Sequence, residues 1–198
     1  GCVRRFLAAA LLVSLAVAGS ASASHQDPQK RLTKADNARA RAMLLTRADL
    51  PGFKVQRSSG DDPHVECPAA VSETDLTLTG EDEGRAYESG PVFVGSSSQV
   101  YESQADADAS WRRSTGAAGL VCLRAELRAV FEPEGTLKSL RKLAFPSLAQ
   151  RRIAYRATIS VKNPQGAVPL YIDLVGLAPL LHPGAVRPVV AGLVDDRR

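Results

Sequence analysis

Few residues of this chain have types and spacing that suit catalysis. Three consecutive serines follow Gly95 within a strand-like segment, at Ser96, Ser97 and Ser98. A hydrolase nucleophile of the G-x-S-x-G type needs a second glycine and a sharp turn between a strand and a helix, and both are missing here. We expect a protein without catalysis. The alternative is a secreted serine hydrolase that uses one of these serines with His64 and an acid.

The histidines and acids add no metal or cofactor site. The three histidines fall in a linker, a loop and a Pro-rich tail, at His25, His64 and His182, and none has the support of a catalytic triad. His64-x-x-Cys67 has half the spacing of a zinc site, but a second such pair is absent from the sequence. The acidic segment lacks the register of a calcium loop. We therefore expect no catalytic residues, no metal, no cofactor and no enzyme activity.

Acidic side chains are concentrated between residues 73 and 88. Clustered charge can steer a partner of opposite charge toward a surface. The candidate recognition surface consists of Glu73, Asp75, Glu81, Asp82, Glu83 and Glu88. The run from Glu81 to Glu83, followed by Gly84, predicts a charged turn.

The first 23 residues are typical of a secretory signal peptide. Two arginines precede an apolar run from Phe6 to Ala18, and a small-residue A-x-A site follows. Cleavage is expected between Ala23 and Ser24. The apolar run is shorter than the roughly twenty residues that cross a bilayer, so no membrane span is expected after cleavage. The mature protein is predicted to be secreted or associated with the cell wall.

Cysteine count and charge agree with export. Of the 3 cysteines, Cys67 and Cys122 remain after cleavage, and an even pair in an oxidising compartment predicts a disulfide. The whole chain has 25 basic and 21 acidic side chains, and loss of the two signal-peptide arginines leaves 23 against 21. Nucleic acid is not a predicted partner, because the basic pairs are spread along the chain, at Arg112-Arg113, Arg141-Lys142, Arg151-Arg152 and Arg197-Arg198.

Capping patterns and hydrophobic periodicity place the secondary structure. Thr33-x-x-Asp36 predicts a helix over about 34–45, and Ser103-x-x-Asp106 opens a second that is interrupted by glycines and continues to about 131. Strands are predicted over 53–57, 75–79 and 92–101. The segment over 137–145 fits either a strand or a helix, and the prolines on both sides of it favour a strand.

The C-terminal third predicts a β-hairpin with a defined register. Apolar residues alternate from Ile153 to Val161 and again after the turn over 163–166. Pairing of Lys162 with Ala167 would place Arg156 opposite Asp173 as a cross-strand ion pair.

These elements predict an α+β fold: a single antiparallel sheet packed by an N-terminal helix and a central broken helical region. The predicted organisation is a signal peptide over 1–23, a flexible linker over 24–32, one domain over 33–177 and an irregular Pro-rich tail over 178–198.

Three segments resemble the PsbP-like fold of mycobacterial cell-wall lipoproteins and related secreted actinobacterial proteins of unknown role. They run from Leu44 to Phe53, from Val100 through Ser103 to Trp111, and from Val168 to Asp173. A looser likeness is to the extracellular sensor domains of actinobacterial kinases. The resemblance implies a non-enzymatic binding or accessory domain of the envelope. Its partner would be an envelope protein or a small amphiphilic ligand held between helix and sheet. Besides the binding protein and the hydrolase, a third possible function is that of a structural wall protein.

Overall fold

The computed structural model describes residues 27–56, 67–147 and 149–178, together with the backbone of 185–194. This part of the chain contains three helices and nine strands. They are β1 Gln29–Lys30, α1 Lys34–Ala42, β2 Lys54–Gln56, β3 Thr77–Glu83, β4 Ala86–Ser89, β5 Val92–Tyr101, α2 Gln104–Thr115, α3 Ala117–Phe131, β6 Gly135–Lys142, β7 Arg151–Asn163, β8 Gly166–Ala178 and β9 Ala185–Val194.

Both predicted N-caps form. The Thr33 hydroxyl accepts a hydrogen bond from the Asp36 backbone N–H at 3.0 Å, and the Ser103 hydroxyl accepts one from Asp106 N–H at 3.1 Å. These bonds satisfy N–H groups that have no partner within the first helical turn. Helix α1 ends at Ala42, three residues before the predicted end.

The predicted hairpin register is confirmed. Lys162 pairs with Ala167 and Arg156 with Asp173, as the alternation requires. The Arg156 guanidinium donates to both carboxylate oxygens of Asp173, each at 2.6 Å, and lies 5.8 Å from the centre of the Tyr171 ring. Both members of the pair are about one-third exposed, so the pair stabilises the hairpin by at most about 1 kcal/mol.

The expectation of a single sheet is wrong, because the strands form two sheets that meet at β5. The hydrogen-bonded order is β1-β3-β5-β9-β8-β7-β6, with β2 on β4 and β4 on β5. The first part of β5 pairs with β4 and its last part with β3, along the same edge. This division follows from length, since β5 is longer than either partner and the chain breaks between them near Gly84.

Residues 185–194 of the tail, which was expected to be irregular, form β9. This strand lies between β5 and β8 and is antiparallel to both. The three prolines of the tail suggested an irregular end, but the Val/Ala/Leu run suits a strand in the middle of a sheet. Pro188, which has no N–H, is opposite Gly176 of β8 and is left out of the pairing with β5.

Helices cover opposite faces of the strands. On one face, α1 places Ala40 and Met43 against Val100 of β5. On the other face, Leu127 and Phe131 of α3 pack on Ala157, Ile159, Leu170 and Ile172 of the β7–β8 hairpin. Each such buried large side chain contributes roughly 1.5–3 kcal/mol. Among the described residues, no helix has the length and apolar character needed to cross a membrane.

Candidate functional site

The serines of β5 hold the α1 segment. The Ser98 hydroxyl donates to the Ala40 carbonyl at 2.7 Å, and the Ser96 hydroxyl accepts from Leu45 N–H at 3.0 Å. Ser97 points to the opposite face, because side chains alternate along a strand. All three are buried. His25, His64, His182 and the signal-peptide cleavage position lie outside the described residues.

The six predicted acidic residues lie on several elements, and three of them form internal ion pairs. Asp75 pairs with Arg113, Glu81 with Lys30 and Asp82 with Arg41. The stretch from Glu81 to Glu83, predicted as a turn, is instead the end of β3, and Glu88 lies in β4 opposite Lys54. Their recognition role remains a prediction, and much of their charge is neutralised within the fold.

A disulfide and an arginine hold the segment over 67–75 against two helices. The Cys67 and Cys122 sulfurs are 2.11 Å apart, as the predicted pairing requires, which attaches the segment to α3. Arg113 of α2 donates to the Ser72 carbonyl at 2.8 Å and to both oxygens of Asp75 at 2.6 and 2.7 Å. The hydrogen bonds to Arg113 lower the pKa of Asp75, which stays charged at neutral pH. The segment is therefore fixed at both ends.

A cavity of about 300 Å³ lies where this segment meets the α2–α3 corner. It is lined by Val71, Ala109, Arg112, Arg113, Gly116, Ala117 and Ala118. The tight corner depends on glycine, since a Cβ at Gly119 would lie 2.0 Å from the Ser114 carbonyl oxygen. Small side chains on both helices then leave the space unfilled. We call this space the corner cavity.

The lining of the corner cavity is apolar on its walls and cationic at one side. The side chains of Val71 and the alanines supply apolar surface. Arg112 is exposed and has no acidic hydrogen-bond partner among the described residues. Gly116, at the cavity, both ends α2 and caps α3, so the negative end of one helix dipole meets the positive end of the other, and the cationic character comes from the arginines. The site suits a small molecule with an apolar body and an anionic group.

A buried polar cluster borders the corner cavity on the sheet side. The hydroxyls of Tyr101 and Ser110 are 2.8 Å apart, and Ser110 follows Ala109 of the cavity wall. Burial raises the pKa of Glu73, against the opposing effect of a hydrogen bond with Ser110. Burial and the nearby Glu73 charge also raise the pKa of Tyr101. The charge of Arg113, which also lines the corner cavity, partly offsets the effect of burial on the pKa of Glu73.

Within the described residues, no group of three or more His, Cys, Asp or Glu side chains is placed to hold a metal ion. A comparison with known proteins adds no assignment, because no protein-family model, curated protein or solved structure matches the chain. The corner cavity was missed by sequence reasoning, which noted only that Gly116 and Gly119 interrupt the helix. Those glycines were the available signal, but Val71 is distant in sequence and nothing local links it to them.

Proposed function

We propose that this protein is a secreted, non-enzymatic binding or accessory protein of the cell envelope, related in fold to PsbP-like proteins. The corner cavity is its binding site, and the ligand is a small amphiphile with an anionic head group. The observation that carries this proposal is the lining of the cavity, in which apolar walls adjoin the exposed Arg112.

Two features support a binding role over catalysis. The hydroxyls of Ser96 and Ser98 are engaged by the backbone of the α1 segment, so they serve the scaffold. The hydroxyl of Ser110 is 2.8 Å from that of Tyr101, whose raised pKa keeps it protonated and unable to act as a base at neutral pH. The disulfide between Cys67 and Cys122 supports an oxidising compartment.

Calorimetric titration offers a direct test, because it needs no probe inside the corner cavity, whereas the ring of Trp111 lies against Gly176 of β8. The heat of binding would be followed while octyl phosphate or octanol is added to the oxidised protein. We expect a saturable change with octyl phosphate and none with octanol, because the head group must be anionic.

Two alanine variants separate the corner cavity from general detergent binding. Ala118→Leu puts a larger side chain into the cavity and should abolish the saturable change. Ala129→Leu makes the same change at an exposed position of the same helix and should leave it intact. Equal titration of both variants would refute the cavity as the site. Labelling of Ser96, Ser97 or Ser98 by a fluorophosphonate probe would instead favour the hydrolase.

A further inference from the structure

One long stretch of the chain contains basic residues and no acidic ones. From Gly135 to Ile172 the sequence has no Asp or Glu. It has seven cationic side chains, namely Lys138, Arg141, Lys142, Arg151, Arg152, Arg156 and Lys162. In the sequence these residues are scattered. In the structure the stretch forms β6, β7 and the start of β8, and these three strands lie side by side in the sheet.

Four of these cations lie at the outer edge of the sheet, where side chains alternate between the two faces, so that Arg141 and Lys142 lie on opposite sides of the edge. Strand β6 is the last strand in the hydrogen-bonded order, and it carries Lys138, Arg141 and Lys142, all exposed. Arg152, also exposed, lies at the start of the adjacent β7 and donates its Nε to the Phe145 carbonyl at 3.2 Å. We call Lys138, Arg141, Lys142 and Arg152 the basic edge.

The basic edge lacks the internal neutralisation seen elsewhere in the fold. Arg151 pairs with Asp108 and Arg156 with Asp173, but none of the four edge cations has an acidic partner within the described part of the chain. Arg141 lies directly opposite Arg156, whose carboxylate partner Asp173 is already engaged. The edge charge is therefore available for an external partner.

Cations also flank the edge on the helix side. Lys142 lies opposite Tyr155, and the pKa of Tyr155, raised by burial, is lowered in part by the charge of Arg124 on α3. Arg124 is exposed as well. Lysines on an edge strand commonly prevent sheet-to-sheet pairing, and that role needs charge on β6 alone. Arg152 lies on β7 and Arg124 on α3. The positive surface therefore extends beyond β6, and the prevention of sheet-to-sheet pairing does not explain these two residues.

We infer that the basic edge binds a linear anionic polymer with phosphodiester groups along its chain. Residues on a strand advance about 3.3 Å each, so Lys138 and Lys142 are about 13 Å apart. The edge therefore carries cations on both faces along this length, and a linear polymer lying along the strand can contact both sets. The site is distinct from the corner cavity, and it uses charge complementarity, which gives strong salt dependence.

The test uses poly(glycerol phosphate) as the probe and neutral dextran as its uncharged counterpart. The triple variant Lys138→Gln, Arg141→Gln, Lys142→Gln is compared with Lys34→Gln, Arg47→Gln, Lys54→Gln, which removes the same charge from exposed positions on α1, the following turn and β2. Each cation removed should weaken the affinity for the polymer about fivefold, so the edge variant should bind about 100-fold more weakly. The affinity of the control variant should change less than about threefold.

Salt provides a second readout. With four polymer charges neutralised, binding of the natural protein should fall about 50-fold between about 50 and 200 mM salt, and the edge variant should show a much smaller slope. Thermal unfolding should be equal in both triple variants, because all six positions are exposed. Equal loss in the two variants, or binding to neutral dextran, would overturn the inference. Tighter binding to duplex DNA or to anionic vesicles than to the polymer would also overturn it, in favour of a nucleic acid or a membrane surface.

Discussion

Ser98→Ala tests whether the serines of β5 serve the scaffold. Ser98 is 1% exposed, and its hydroxyl donates to the Ala40 carbonyl at 2.7 Å. That carbonyl also accepts from Met43 N–H at 3.0 Å, so the substitution does not leave it without a partner. The cost should therefore lie near the net value of one buried hydrogen bond, about 1 kcal/mol, and not near the larger cost of an orphaned group.

The assay is urea unfolding of the oxidised protein, and the control is the next residue along the strand. Ser97 is 8% exposed, and its hydroxyl makes no hydrogen bond to another described residue, so Ser97→Ala should change the free energy of unfolding by less than about 0.5 kcal/mol. For Ser98→Ala, a loss of about 1 kcal/mol would also lower Tm by about 2–4 °C. Equal stability of the two variants would refute the scaffold reasoning.

Three further predictions concern the disulfide, a close contact and a buried acid. Replacing Cys67 and Cys122 together by Ala should lower the free energy of unfolding by about 4 kcal/mol in urea, and a loss below about 1 kcal/mol would contradict the loop-entropy argument. Gly80→Ala puts a Cβ 2.4 Å from the α1 backbone and should cost about 1–3 kcal/mol in thermal unfolding, whereas Gly95→Ala, with nothing within 4 Å, should cost less. Burial raises the pKa of Glu126 above 4.5, so the natural protein should lose stability as pH rises above that value. Glu126→Gln should therefore be the more stable protein at pH 7 and equal to the natural one at pH 3, and a constant difference in unfolding free energy across pH would contradict this.

Local signals predicted the parts of the fold that depend on neighbours in sequence. The Thr33 and Ser103 caps and the register of Arg156 with Asp173 follow from residues that are close along the chain. Capping needs three residues and a hairpin register needs one turn, so a single sequence contains enough information for both.

The remaining features depend on contacts between distant segments. The central place of β9 depends on β5, about ninety residues earlier, and the tail prolines suggested a different outcome. Nor could the sequence show that Asp82 pairs with Arg41 or that Val71 meets the start of α3. The corner cavity was therefore beyond sequence reasoning, whereas the disulfide that frames it followed from the count of cysteines.

The position of β9 has a consequence for how the chain acquires its structure. The strands on its two sides belong to different parts of the sequence, and β9 is the one that joins β5 to β8. During synthesis, the strands next to β5 and the group β6–β8 can pair separately. They cannot join through β9 until residue 194 has been synthesised. Until then β5 and β8 each present an open edge, which is a site for aggregation. The last strand of the chain to be synthesised is therefore the one that covers both of these edges.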